Sequence, residues 1–178
     1  MRANTQDTAD SDTYIFVGNN FRVRETREAD LPKWYKWFND PDTTRELMHG
    51  VIPNTIEVQS RFRDQHIAGT NNKVIFSIVD KKTPELIGTC SINLHGTVFS
   101  RRGEISLILG DARFKKGSLY MEITMWQLDH AFLWMNLHSV FSATSENNLP
   151  VINTLERMGF RRVGVLRDVN YRNGRYVN

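Results

Sequence analysis

The fold is decided by the stretch from Glu104 to Phe160, EISLILGDARFKKGSLYMEITMWQLDHAFLWMNLHSVFSATSENNLPVINTLERMGF. Its pattern predicts a strand, a basic loop, a long apolar helix, a second strand and a short helix that ends at Gly159. The loop from Ala112 to Ser118 lies between the first strand and the long helix. Because free N–H groups and the positive end of the helix dipole meet at such a junction, we expect it to bind phosphate.

The composition is that of an ordinary globular chain, with 178 residues, 40% of them hydrophobic and 24% charged. Residues 1–13 are polar and have no apolar centre, so we predict a disordered tail, no secretory signal and a single domain over residues 14–178. No apolar run reaches the roughly 20 residues of a membrane span. Cys90 is the only cysteine, which excludes an internal disulfide and is compatible with the cytoplasmic location that we predict.

The formal net charge of +3 suits an anionic small ligand and is weak evidence for nucleic acid. The histidines His95, His130 and His138 show no metal-ligand spacing, so we predict no metal site. The C-terminal region is basic, and its arginines form either a solvated surface or a site for an anion. These arginines are Arg157, Arg161, Arg162, Arg167, Arg172 and Arg175.

The long helix is apolar on two sides. Its first stripe contains Met121, Met125, Leu128, Phe132 and Met135, and its second contains Leu119, Ile123, Trp126 and Leu133. A helix of this kind is expected to be buried against a sheet on most of its circumference.

Further elements are predicted on both sides of this stretch. A helix is expected after Asp30, and another after Pro53 with Asn54 as its N-cap and Gly69 at its end. Strands alternate with turns, which gives an α/β or α+β fold with a mixed, mostly antiparallel central sheet flanked by helices. The predicted strands cover residues 14–17, 21–24, 73–79, 85–94, 104–109, 139–145, 160–166 and part of 171–177.

The order and spacing of several motifs resemble the GNAT superfamily of acetyl-CoA-dependent N-acetyltransferases. The segment Trp37 to Pro41 also resembles the first helix of the branch that acetylates ribosomal-protein N-termini and nucleotide-linked amino sugars. The motifs that carry the resemblance are Glu104–Gly110, Lys116-Gly117-Ser118, Glu122 with His130-Ala131-Phe132, Asn136–Val140, Glu146-Asn147-Asn148 and Leu155–Phe160.

The resemblance implies a splay between the central strands, acetyl-CoA as co-substrate, and Glu104 as the general base. Backbone groups of the strand, including Ile108 and Leu109, would pair with the pantetheine arm, and Asn148 would contact that arm. Trp37 would line the acceptor side, with packing on the sheet as the alternative. The groups implied to hold the pyrophosphate are those of Arg113, Lys115, Lys116, Gly117 and Ser118.

Two departures from the family pattern keep a second function open. Of the loop glycines only Gly117 remains, and either Ser118 and Tyr120 or, in the other register, Leu119 occupies a tight position. Leu155 stands where many relatives carry a tyrosine proton donor, so the general acid is unassigned. The alternative to an N-acetyltransferase is therefore a non-catalytic module that binds acetyl-CoA or a nucleotide.

The expected partners follow from these two functions. The acceptor is a primary amine, either on a small molecule such as an amino sugar or at a protein N-terminus. A homodimer is left open, a membrane partner is not expected, and nucleic acid is the least favoured partner.

Overall fold

A six-stranded sheet forms the centre of the computed structural model, which describes residues 13–47, 53–67, 72–97, 99–172 and 174–178. The strands are β1 (Phe16–Val17), β2 (Phe21–Glu25), β3 (Lys73–Asp80), β4 (Leu86–His95), β5 (Arg102–Leu109), β6 (Ser139–Phe141), β7 (Asn170–Arg172) and β8 (Arg175–Val177). Strands β1 to β5 pair antiparallel in chain order, and β6 pairs parallel to β5. The predicted mixed, mostly antiparallel sheet is confirmed, while β7 and β8 form a separate hairpin.

Helices cover both faces of the sheet. In the described residues they are α1 (Leu31–Phe38), α2 (Pro41–Thr44), α3 (Ile56–Ile67), α4 (Gly117–Asp129) and α5 (Leu149–Arg157). Helix α5 ends as predicted, because Gly159 adopts a positive φ of 90° just beyond it. The predicted tail, apart from Thr13, and the predicted helix end at Gly69 lie outside the described residues.

Helix α4 packs on one face of the sheet. Alternation along β4 and β5 directs Cys90, Ile92 and Ile105 to that face, where they meet Ile123 and Trp126 of α4. All five side chains are buried. Burying a side chain of this size stabilises the fold by about 1.5–3 kcal/mol, so this face is the main core.

The opposite face is covered by α1 and α3. Leu31, Trp34 and Trp37 of α1 form a second buried cluster with Leu86 of β4. The start of α1 is tied to the sheet by Asp30, whose carboxylate accepts two hydrogen bonds from the Arg24 guanidinium, at 2.8 and 2.7 Å. This face therefore carries a helical wall over the polar side of β4 and β5.

The sheet opens between β5 and β6. The parallel ladder joins only Arg102–Glu104 to Ser139–Phe141, and β6 then ends. Beyond Glu104, the remainder of β5 has no strand partner on this side within the part of the chain that the structure describes. The strand that we predicted over residues 139–145 is therefore shorter, because its chain turns away toward α5. The gap that results is the implied splay.

Two predictions about elements were wrong. No strand forms over residues 160–166, because in the described structure no neighbouring strand offers a hydrogen-bonded ladder there, and Val163 is 97% exposed. The N-cap of α3 is Thr55, whose hydroxyl accepts from the Val58 N–H at 3.2 Å, and not Asn54. Asn54 instead pairs with Asn39 through its backbone, donating at 3.0 Å and accepting at 2.8 Å.

The apolar stripes of α4 were also predicted to be more buried than they are. The helix changes to a π turn over His130–Trp134, in which the Met135 N–H donates to the His130 carbonyl at 3.0 Å. This wider turn breaks the helical period that the stripes assume. The π turn accounts for the exposed positions from Phe132 onward, whereas Met125 is exposed on the regular part of α4. The exposed side chains are Met125, Phe132, Leu133 and Trp134.

Candidate active site

Glu104 lies at the last paired position before β5 and β6 separate. It is opposite Phe141 in the parallel ladder and opposite Asn93 in the antiparallel ladder. Its side chain retains 28% of its accessible surface, so the carboxylate is half-buried and still reachable. This position places a proton acceptor at the mouth of the splay.

His95 holds this carboxylate. Its Nε2 atom lies 2.9 Å from Glu104 Oε2, and its ring packs edge-on against Phe141 with centroids 5.1 Å apart. The Arg102 guanidinium lies 5.2 Å from the centre of the same Phe141 ring. Since a ring nitrogen and a carboxylate oxygen at this distance need a proton between them, Nε2–H donates to the carboxylate unless Glu104 is itself protonated.

Sequence reasoning missed His95 because it was considered only as a metal ligand. The signal was present in the hairpin, since β4 and β5 are antiparallel and Asn93 is opposite Glu104. A residue two positions from Asn93 is then a diagonal neighbour of Glu104 on the same face. Asn93 Nδ2 is also 3.0 Å from His95 Nε2, and because an amide nitrogen only donates, it bonds to Nε2 only when Nε2 carries no proton.

The basic loop uses most of its own N–H groups. The Arg113 N–H donates to Asp111 Oδ1 at 2.9 Å, and the next three amides, through Lys116, donate to carbonyls of the loop. The amides of Gly117, Ser118 and Leu119 have no acceptor in the described part of the chain. The N–H groups open to an anion are therefore those of the first turn of α4, further along than most of the predicted set.

The charged side chains of the loop differ in availability. Arg113 donates to Glu85 at 2.8 Å and to Asp111 at 2.6 Å, and these contacts, with Asp111 first, raise the pKa of Arg113. The Arg113 hydrogen bonds in turn lower the pKa of Asp111. Lys115 Nζ lies 3.4 Å from Thr43 Oγ1, and Lys116 is exposed. Of the predicted phosphate ligands, Arg113 is thus already engaged by carboxylates, whereas both lysines face solvent.

The Tyr120 side chain is largely buried, and burial raises the pKa of its hydroxyl to about 12. Tyr120 therefore brings no negative charge to this anion site. Gly117 borders open space, since a Cβ there would meet nothing within 4 Å. The residues present at the N-terminus of α4 therefore fit a phosphate group even though most family glycines are absent.

Of the other predicted cofactor residues, two lie on the open part of β5 and one lies at the start of α5. Ile108 is half-buried and Leu109 is buried, both on the part of β5 that β6 leaves unpaired. Asn148 precedes α5, and its side-chain amide donates to Thr144 Oγ1 at 3.0 Å without capping the helix. Leu155, which stands at the tyrosine position of many relatives, is buried. Ser145 is also buried, and its hydroxyl accepts a hydrogen bond from the Asn147 N–H at 3.3 Å.

Trp37 lies away from Glu104. Its ring packs so tightly on Gly110 that a Cβ at that glycine would overlap the indole. It lines a shallow pocket with Lys36, Asp40, Asp111 and Ala112 at the phosphate end of β5. Because six residues of extended chain span roughly 20 Å, the structure does not bring Trp37 together with Glu104.

The described residues contain no group of three or more His, Cys, Asp or Glu side chains that could hold a metal ion. None of the described helices combines the length and the apolar character that crossing a bilayer requires.

A family comparison decides what this arrangement belongs to. The model of the acetyltransferase (GNAT) domain matches residues 20–161. The chain belongs to the GNAT acetyltransferase family. A curated relative, the uncharacterized N-acetyltransferase p20 of Bacillus licheniformis, is 30% identical over 162 residues, covering 88% of this chain and 86% of the relative.

Solved structures agree with the GNAT fold. Spermidine N-acetyltransferase of Vibrio cholerae, determined with CoA and spermine, has a TM-score of 0.80 at 19% identity and covers 90% of this chain and 92% of its own. A GNAT-family acetyltransferase of Bacillus anthracis has a TM-score of 0.72 at 19% identity, with 89% and 90% covered. The predicted family, fold and N-acetyltransferase class are therefore confirmed, and CoA in the first structure is consistent with acetyl-CoA as co-substrate. The predicted branch and the predicted site residues stay predictions.

Proposed function

We propose that this GNAT enzyme transfers an acetyl group from acetyl-CoA to a primary amine, with Glu104 as the group that takes the proton from the amine. The observation that carries the proposal is the Glu104–His95 pair, 2.9 Å apart, at the point where β5 and β6 separate. A reachable carboxylate held in one orientation beside an open strand edge is what proton removal from a bound amine requires.

The residues that would hold acetyl-CoA follow the open edge of β5. The amides of Gly117, Ser118 and Leu119, with the Lys115 and Lys116 ammonium groups, fit the pyrophosphate. Backbone groups at Ile108 and Leu109, with Asn148 across the gap, fit the pantetheine arm. When bound, acetyl-CoA supplies the thioester carbonyl that the amine attacks.

Glu104 addresses the main obstacle to this reaction. A lysine-like amine has a pKa of about 10.4, so it arrives mostly protonated at neutral pH and cannot act as a nucleophile. Glu104 accepts that proton, while His95 holds the carboxylate from the other side. Removing the proton next to the splay delivers a neutral amine where it is consumed.

Three classes of amine are candidate acceptors. Protein N-termini and nucleotide-linked amino sugars follow from the resemblance of Trp37–Pro41 to one branch of the family. Polyamines follow from the Vibrio cholerae neighbour, named as a spermidine N-acetyltransferase. The pairing of Arg113 with Asp111 and Glu85 removes one cation that a nucleotide diphosphate would otherwise use.

The experiment is a thiol-release assay with acetyl-CoA and amines from each class. We expect thiol release that depends on both substrates, together with saturable acetyl-CoA binding. Failure to bind acetyl-CoA at millimolar concentration would sink the proposal.

A non-catalytic binding module is the second candidate, favoured by Leu155 at the usual tyrosine position and by the loss of loop glycines. It predicts acetyl-CoA binding without thiol release from any amine. The same assay therefore separates the two functions.

A further inference from the structure

A lysine on the acceptor side of the sheet points to the chemistry of the acceptor. We infer that Lys73 binds a compact anionic group of the acceptor, such as a carboxylate, so that preferred substrates are amines with a negative charge near the reacting nitrogen. This inference rests on the proposed function and specifies its substrate.

The three residues involved form one row across the sheet. Lys73 is opposite Asn93, and Asn93 is opposite Glu104. Directly opposed residues point to the same face, so the lysine shares its face with the proposed base. With strands about 4.8 Å apart, the Cα atoms of Lys73 and Glu104 are separated by roughly 10 Å. That spacing matches the length of a small acceptor lying across Asn93.

Lys73 is poised for a ligand. Its side chain is half-buried, and its Nζ atom lies 5.3 Å from the centre of the Phe62 ring of α3. Within the described residues the Nζ atom of Lys73 has no ion pair and no hydrogen bond. Burial lowers the pKa of Lys73, and the Glu104 charge opposes this shift. An anion bound beside it would offset the cost of burying this ammonium.

The surrounding charges favour an anionic acceptor over a polycation. The groups near the proposed base include two further basic side chains, His95 and Arg102, placed by their contacts with Glu104 and Phe141. A polyamine needs several free carboxylates, but three of the acidic side chains on or next to the helical wall are already in ion pairs. Asp42 pairs with Arg45, Asp64 with Arg63, and Glu46 with Arg172.

The experiment compares acceptors that differ only at the end remote from the reacting amine. The probes are 5-aminopentanoate, pentylamine and 1,5-diaminopentane, with shorter and longer members of each series and with spermidine. In the wild type we expect kcat/KM for the best aminocarboxylate to exceed that for its matched alkylamine at least 10-fold, with the diamine lowest. K73M should lower kcat/KM for the aminocarboxylate to about that for the alkylamine, which abolishes this preference, and K73R should retain it.

The control is K82M, which removes an exposed lysine at the β3–β4 turn and should leave the preference intact. Preference for diamines or spermidine in the wild type would overturn the inference, as would a K73M effect equal for all three series. Either of those results would leave the proposed acetyl transfer unaffected. No thiol release with any amine would overturn the proposed function and this inference together.

Discussion

At the residue scale, the site depends on how single side chains are held. Glu104 is a common residue type on an exposed strand, and its neighbours set its role. His95 fixes one carboxylate oxygen, and Phe141 fixes the histidine ring. This contact uses one carboxylate oxygen, Oε2, and leaves Oε1 for the proton of the proposed reaction.

The role of His95 can be separated from simple packing. H95L removes the hydrogen bond to Glu104, whereas H95Q keeps a donor that does not titrate. We expect kcat to fall about 10-fold in H95L, to recover in part in H95Q, and the affinity for acetyl-CoA to stay unchanged. A rate equal to wild type in H95L, or no recovery in H95Q, would show that His95 does not position the base.

A second prediction concerns the buried Arg24–Asp30 pair. Burial disfavours the Asp30 carboxylate, but hydrogen bonds from Arg24, the Arg27 N–H and Ser77 outweigh it and lower the pKa of Asp30 below its ordinary value of 3.8. A lowered pKa means that the stability contribution is complete above this ordinary value and is lost as the pH falls through the folded value.

We therefore expect D30N to reduce the free energy of unfolding at pH 7 by about 3 kcal/mol, measured by urea denaturation. The difference from wild type should shrink in strongly acidic buffer. D42N is the matched control, because the Asp42–Arg45 pair is 69–77% exposed and an exposed pair contributes little. Equal losses in the two variants would contradict the account.

At the element scale, the junction between the loop and α4 carries the predicted anion site. Three consecutive amides are open there, and Lys116 before them has an extended backbone with φ −110° and ψ 133°. That conformation is the one a residue before proline prefers, and proline is well accepted at the first position of a helix. The junction thus allows one amide to be removed without disturbing the helix.

We expect G117P to weaken acetyl-CoA binding about 10-fold, or about 1.4 kcal/mol, because a hydrogen bond to a charged phosphate is lost. The melting temperature should not fall, since a Cβ at this position meets nothing within 4 Å. G117A keeps the N–H and is the control, with unchanged affinity. Calorimetric titration measures both, and equal affinities for G117P and G117A would refute the assignment.

Elements with a strong local pattern could be predicted from the sequence, and elements that depend on distant neighbours could not. The strands on both sides of Asp80 are apolar runs that contain β-branched residues, and Gly159 marks the end of α5. The segment over residues 160–166 also contains β-branched residues, Val163 and Val165, but a strand needs a paired neighbour that local sequence does not specify. His95 was missed for a related reason, because its partner is known only once the register of β4 and β5 is fixed.

The loop shows the same limit within the candidate site. Its basic composition predicted an anion site, yet the sequence could not show that Asp111 and loop carbonyls use the amides from Arg113 to Lys116. Nor could it show that Arg113 is paired with Glu85 of the preceding hairpin. These are consequences of folded geometry, and they narrow the predicted site to the first turn of α4.

At the scale of the whole molecule, the two faces of the sheet have different tasks. The α4 face holds the main core, while the α1–α3 face carries the row of Lys73, Asn93 and Glu104 beneath a helical wall. The splay between β5 and β6 lies at one side of the sheet and borders both faces. In the proposed function, the sheet therefore supports an anion site at the start of α4 and an acceptor face that contains Glu104.

The most direct test is the rate of acetyl transfer by E104Q, measured with the best acceptor beside its affinity for acetyl-CoA. E28Q, at an exposed glutamate outside the site, is the control. The account predicts that E104Q lowers kcat/KM at least about 100-fold with an acetyl-CoA affinity within 2-fold of wild type, while E28Q keeps the wild-type rate. An E104Q rate equal to that of wild type and E28Q would contradict it.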